Sequence, residues 1–151
     1  MRTSGKIGKA GELLVANELL REGLDVFIPL VDTGIDIICL VDHKPILIQV
    51  KESRLYPDGR YWQRIRKDAL LKNKADNMFY VFVLKAENYV NYLVLPSTFL
   101  YDNLEKLDVD KKGMIDLYFV IKNGHVKETR KSNLDLTEFL NNFKLLTEVR
   151  K

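Results

Sequence analysis

Gly34-Ile35-Asp36-Ile37-Ile38-Cys39-Leu40-Val41 and Ile46-Leu47-Ile48-Gln49-Val50-Lys51 are two apolar runs separated by Asp42, His43 and Lys44. Runs of this length, rich in isoleucine and valine and joined by so short a polar link, predict two strands of a tight hairpin. Side chains of a strand alternate between its faces, so Gln49 and Lys51 share one face while Val50 points to the other. Asp36 lies between Ile35 and Ile37, where a carboxylate is costly to place unless something compensates it. The hairpin therefore brings an acid, an amide and an ammonium close together. Leu24 to Leu30 reads as a preceding strand, which makes a three-strand meander.

On the N-terminal side, Thr3 or Ser4 suits a helix cap, Ile7, Ala10, Leu14, Leu19 and Leu20 recur at helical spacing, and Gly23 is placed to stop a helix ending near Glu22. On the other side, Pro57 and Gly59 break the chain, and Tyr61 to about Ala75 reads as a basic helix with Ile65, Ala69 and Leu70 inward. Met78 to Lys85 is almost wholly apolar, the pattern of a strand covered on both faces, and Tyr89 to Leu95 is a second strand. Pro96 opens a helix through Phe99, Leu100 and Leu104. Met114 to Ile121 and Val126 flank Asn123-Gly124 as a late hairpin, and Leu136, Phe139, Leu140, Phe143 and Leu146 predict a final amphipathic helix over Leu136 to Val149. The order is α-β-β-β-α-β followed by further elements.

The 151 residues match the usual size of one domain, and an apolar share of 46% beside 30% charged residues is ordinary for a globular chain. No run approaches the roughly 20 apolar residues that span a bilayer, and the basic start, Met1 to Gly11, lacks the apolar stretch of a secretory signal. A cytoplasmic protein without a membrane role is expected. Cys39 is the single cysteine, so an intrachain disulfide and a Cys-rich zinc site are excluded, and its apolar neighbours make it a core residue. His43 and His125 are too isolated for a histidine mechanism, and Ser53 and Thr33 have no histidine base nearby. The net charge of +3 is uneven: eight basic residues face three acids between Lys51 and Lys74, while the rest of the chain is slightly acidic. A local positive field suggests a polyanion.

Phosphodiester cleavage suits such a group. A carboxylate and a neutral oxygen can hold Mg²⁺ with its waters, and a lysine can activate the attacking water or neutralise charge on phosphorus. A simple cross-strand ion pair would explain Asp36 and Lys51 but not the helix and basic segment around them. Gly11-Glu12 on the first helix, Gly34-Ile35-Asp36 on a strand and Ile48-Gln49-Val50-Lys51 on the next resemble the PD-(D/E)XK nuclease superfamily over roughly residues 5 to 85. That resemblance implies an α/β (α+β), restriction-endonuclease-like αβββαβ core with a mixed central sheet flanked by helices. Residues 1–151 would be a single nuclease domain with its core at 5–95, and 96–151 would supply a C-terminal hairpin and helix for association or DNA reading.

By the same resemblance, Asp36 bridges the metal, Lys51 is the catalytic lysine, Glu12 orders the metal shell or a second metal, and the Val50 carbonyl is a further ligand. The departure is Gln49, where the family usually carries Asp or Glu; an amide offers an oxygen without charge, which shifts metal binding towards Asp36 and Glu12. Gln-x-Lys also occurs in Mrr-like restriction enzymes. The implied cofactor is Mg²⁺, with Mn²⁺ as a substitute. The implied partners are double-stranded DNA and further copies of the chain, as a dimer or a dimer of dimers. DNA backbone contacts are expected from Arg54, Arg60, Arg64, Arg66 and Lys67, and from Lys6 and Lys9 among the helix glycines. The small size resembles the homing endonucleases of bacterial group I introns, which would act in the bacterial cytoplasm on the nucleoid and leave 5′-phosphate and 3′-hydroxyl ends. The alternatives are a Holliday junction resolvase, an Mrr-like restriction enzyme, or a non-catalytic DNA-binding protein on a decayed nuclease fold.

Overall fold

One strand organises the protein. β3 (Lys44–Leu55) runs for 12 residues, and its two ends belong to different layers. A computed structural model describes residues 4–149. The first part of β3 pairs antiparallel with β2 (Ile37–Val41), which in turn pairs with the short β1 (Asp25–Phe27). On its other side β3 pairs in parallel with β5 (Met78–Lys85), from Leu47↔Met78 to Ser53↔Leu84. β5 then pairs antiparallel with β6 (Val90–Pro96). The far end of β3 turns into β4 (Arg60–Arg66), through Arg54↔Trp62 and Leu55↔Tyr61. β4 opens a second layer with β8 (Met114–Lys122), β9 (His125–Glu128) and β10 (Leu134–Asp135), with β7 (Asp108–Val109) also paired to β8.

The alternation of β5 builds both cores. Tyr80, Phe82 and Leu84 face Ile65, Leu117 and Phe119 of the second layer. Val81 and Val83 face Val15 and Leu19 of α1 (Ser4–Arg21), with Ile37 and Ile48. Met78 to Leu84 are buried throughout, as the unbroken apolar run predicts. Cys39 is buried, and burial pushes its thiol up to about 11. α1 can lie flat on the sheet because Gly11 lacks a side chain there: a Cβ would stand 3.3 Å from the Glu52 Cβ and 3.8 Å from Val50 Cγ1. The β2–β3 link is a two-residue turn with positive φ at Asp42 (51°) and His43 (66°), and Asn123 (54°) and Gly124 (76°) repeat that geometry at the late hairpin. No described helix is long and apolar enough to cross a membrane.

Several expectations are corrected. Tyr61 to Ala75 is not one helix: Arg60–Arg66 is β4, and α2 covers only Lys67–Asn73. Tyr61 and Ile65 are four apart, which satisfies a helical face and also two full periods of a strand. The element order therefore gains a strand before its second helix. The final helix is instead two 3₁₀ segments, Thr137–Phe139 and Phe143–Glu148, broken at Asn141 with φ 54°. Leu136 and Phe139, like Phe143 and Leu146, are three apart and buried, a spacing that suits the threefold 3₁₀ turn. The first strand stops at Phe27, and Ile28 to Leu30 continue as a loop. A helix follows Pro96, but α3 covers only Ser97–Asp102, and Leu104 opens a separate 3₁₀ turn, Leu104–Lys106. Thr3 lies outside the described residues, and α1 begins at Ser4.

Candidate active site

The site forms where β2 leaves β3. The last backbone link between them is the Asp36 N–H donating to the Ile48 carbonyl at 2.9 Å. The next residue of β3 that points to this edge is Val50, since N–H and C=O groups of alternate residues face the same side of a strand. The Val50 N–H donates to Asp36 Oδ2 at 2.7 Å, so a side chain has replaced the ladder. The Val50 carbonyl faces that same edge. Two residues on, the Glu52 carbonyl accepts from Gln63 Nε2 of β4 at 3.1 Å, which closes the opening on its far side. Asp36 thus stands at a gap between two antiparallel partners of one strand.

Glu12 of α1 faces Asp36, and Lys51 lies within electrostatic reach. Asp36 is held above its usual pKa: burial is the largest influence, the Val50 N–H opposes it, the Glu12 charge raises it and the Lys51 charge lowers it. Glu12 accepts from Lys9 Nζ at 2.8 Å, and this bond raises the Lys9 pKa. Lys9 is therefore engaged with a site carboxylate. Lys6 stands three residues earlier on the same helix. Lys9, Glu12 and Asp36 line one cleft, whose opposite wall is the Ile28 to Asp32 loop. Ile28, Leu30 and Val31 are exposed there. Asp32 Oδ1 accepts from the Gly34 N–H at 3.0 Å, and Gly34 takes a φ of 83° that a residue without a Cβ adopts freely.

Gln49 is placed differently. It lines an adjoining cleft with Thr33, Arg66, Asp68 and Lys72 of α2 and its approach, and it is not among the groups that act on the Asp36 carboxyl. The structure brings together Glu12, Asp36, Val50 and Lys51, and puts the amide beside them. Among the described residues no three His, Cys, Asp or Glu side chains converge as a metal cage. Two carboxylates and a backbone carbonyl nevertheless fit Mg²⁺, which keeps several waters and takes few protein ligands. The repulsion between the like charges of Glu12 and Asp36 is what a cation between them would relieve.

The basic residues are distributed over several elements rather than along one helix. Arg54 ends β3, Arg60, Arg64 and Arg66 lie on β4, and Lys67 begins α2. Several of the expected DNA contacts already face carboxylates: Arg64 Nη2 donates to Asp110 Oδ2 at 2.8 Å, with Asp116 Oδ1 2.9 Å from its Nε, while Arg60 pairs with Asp58 at 2.6 Å, Arg66 with Asp68 at 2.9 Å and Lys9 with Glu12 at 2.8 Å. Sequence reading missed Gln63, whose role depends on a strand pairing that no local signal reveals.

No protein-family model and no curated protein sequence matches the chain. Solved structures do. A bacterial homing endonuclease, I-Ssp6803I, superposes with a TM-score of 0.70 at 17% identity, over 98% of this chain and 94% of that one. The fold is that of the PD-(D/E)XK nucleases. Hjc, a Holliday junction resolvase from the archaeal hyperthermophile Archaeoglobus fulgidus, superposes with a TM-score of 0.50 at 13% identity, over 87% and 93% of the two chains.

Proposed function

We propose that the chain is a divalent-metal-dependent, site-specific double-strand DNA endonuclease of the homing type. The observation that carries this reading is the Asp36 carboxylate, taken out of the β2–β3 ladder, held by the Val50 N–H and set against Glu12 with Lys51 in reach. Nearly complete overlap with a homing endonuclease supports the finer assignment. Asp36, Glu12 and the Val50 carbonyl would hold Mg²⁺, with Gln49 adding a neutral oxygen from the adjoining cleft. When bound, the ion supplies charge neutralisation at the phosphodiester and makes a water nucleophilic at neutral pH. The Val50 N–H fixes Asp36 in its ionised, cleft-facing position. Lys51 orients the attacking water and offsets negative charge as the bond to the leaving 3′ oxygen breaks, giving 5′-phosphate and 3′-hydroxyl ends. Arg54, Arg66 and Lys67, with Lys6 and Lys9 on α1, supply contacts to the DNA backbone.

The test is cleavage of supercoiled plasmid, a long linear target and a synthetic four-way junction, with Mg²⁺ or EDTA, beside Lys51→Ala and Asp36→Asn. Cutting of linear duplex that needs Mg²⁺ and both side chains is expected. Preference for the junction would make the chain a resolvase, the activity named for the second structural neighbour. Binding without metal-dependent cutting would make it a non-catalytic DNA-binding protein, and full activity of Lys51→Ala would end the proposed chemistry.

A further inference from the structure

Cations and rings alternate across the outward face of the second layer. Arg54 lies 5.4 Å from the centre of the Tyr56 ring and Arg60 5.9 Å from it; Arg60 also lies 4.6 Å from the Tyr118 ring, and Arg130 4.8 Å from it. The row Arg54, Tyr56, Arg60, Tyr118, Arg130 thus crosses from the end of β3 over β4 and β8 to the chain after β9. β4 buries Tyr61 and Ile65 and β8 buries Leu117 and Phe119, so the intervening Arg60 and Tyr118 face away from the core. The hydrolytic chemistry at Asp36 uses none of this row.

The row is built rather than incidental. Arg60 Nε donates to Asp58 Oδ2 at 2.6 Å. Arg130 Nε donates to Asp108 Oδ2 at 2.8 Å and its Nη1 to the Tyr118 hydroxyl at 2.9 Å. Behind them, the fully buried Glu128 accepts from the backbone N–H groups of Tyr118 (2.8 Å) and Arg130 (3.0 Å), which holds the chain after β9 against β8. Arg60 and Arg130 both keep 40% of their side-chain surface exposed. A guanidinium stacked on a ring and tied through Nε presents its terminal N–H pair in one direction, a fork that matches the O6 and N7 acceptors of guanine. Rings already covered by guanidinium are poor platforms for unstacked bases, so a single strand fits less well than a duplex. Beyond the last β4 pair, Arg60↔Val120, β8 and β9 run on to their turn with Lys122 and His125 exposed, and Lys127 is exposed where β9 pairs with β10 through Lys127↔Asp135, so further cations lie past the end of β4. Arg54 follows Lys51 by three residues, roughly 10 Å along the strand, so the row starts beside the catalytic opening.

We propose that this face reads base pairs of duplex DNA, with Arg60 and Arg130 determining sequence preference through guanine. The inference rests on the nuclease reading for the identity of its ligand. Its test uses the full chain carrying Asp36→Asn, without divalent metal, to select bound sequences from a randomised duplex pool. The same selection is run with Arg60→Lys or Arg130→Lys added, each of which keeps the charge and loses the fork. The expected result is guanine preference at defined positions, reduced about tenfold or more at one position by each lysine variant. Affinity for random duplex at low salt should change less than about threefold, since that term follows charge. Tyr118→Phe should weaken only the position read by Arg130. Unchanged preference in both lysine variants, a uniform loss at every position, or selective capture of single strands would overturn the proposal. Because the assay needs no cutting, intact preference in a protein that never cleaves would sink the nuclease reading alone. Cleavage whose specificity ignores both arginines would sink this inference alone.

Discussion

Half-buried and facing Glu12, the Asp36 carboxyl sits above its usual pKa because burial and a second carboxylate outweigh the Val50 N–H and the Lys51 charge. Ionised Asp36 is less favourable in the folded protein than in the unfolded chain, so it lowers stability at neutral pH and ceases to do so on acidification towards the ordinary value of 3.8. Asp36→Asn is therefore expected to melt at a higher temperature than the parent at pH 8 without metal, with the difference shrinking as the pH falls. Lower melting of the variant at pH 8 would contradict the repulsion. Mg²⁺ should raise the melting temperature of the parent and not of Asp36→Asn. Lys51→Ala is expected to reduce cleavage by about 100- to 1000-fold, the usual cost of removing one preorganised charge-stabilising donor, with DNA affinity retained in gel-shift assays. At this scale the sequence was informative: an acid inside an apolar run and a Gln-x-Lys alternation needed only strand periodicity to be paired. The cleft that Gln49 lines with Arg66, Asp68 and Lys72 was not legible, because those residues come from elements that follow β3 and no local signal places them beside it.

Elements were legible where one period fitted and ambiguous where two did. The β2–β3 hairpin and the doubly buried β5 each have a pattern with a single reading, whereas Tyr61 and Ile65 satisfy helix and strand alike, and only pairing with β8 decides for the strand. In the last segment Asn141 decides. Its N–H donates to the Tyr92 carbonyl at 2.6 Å and its Oδ1 accepts from the Tyr92 N–H at 2.7 Å, which replaces the helical ladder with a contact 49 residues away in sequence. Asn141→Ala leaves the Tyr92 N–H without that acceptor and puts a Cβ residue without a local hydrogen bond at positive φ. A loss on the order of 2–4 kcal/mol in urea unfolding is expected. Gly11→Ala sets two opposed effects against each other. Alanine favours a helix by about 1 kcal/mol over glycine, but the new Cβ meets the Glu52 Cβ, which is anchored on the central strand and cannot swing aside. Overpacking of this kind costs about 1–3 kcal/mol, so α1 should shift, and Glu12 with it. Cleavage at saturating DNA should fall more than the change in folding stability explains; unchanged cleavage would show that Glu12 does not depend on that close approach.

Across the whole molecule, β3 joins the two proposed sites: its middle carries Val50 and Lys51 at the opening, and its end carries Arg54 into the aromatic and arginine row of the second layer. A strand shared by two layers leaves little freedom between the two faces, so DNA held by the row would present its backbone to Asp36 in one register. Each chain holds one such opening, and one opening breaks one strand. Double-strand cutting by the proposed mechanism therefore requires at least two chains related by symmetry on one target. Mixing the parent with a large excess of Lys51→Ala tests this directly on supercoiled plasmid. If subunits exchange and act in pairs, most assemblies contain one competent site, and nicked circles should accumulate in place of linear DNA. If each chain acts alone in successive encounters, the inactive chains only occupy targets, and the ratio of linear to nicked product at equal total cleavage should match that of the parent. Sedimentation of the protein with its target should show two or more chains per duplex in the first case and one in the second.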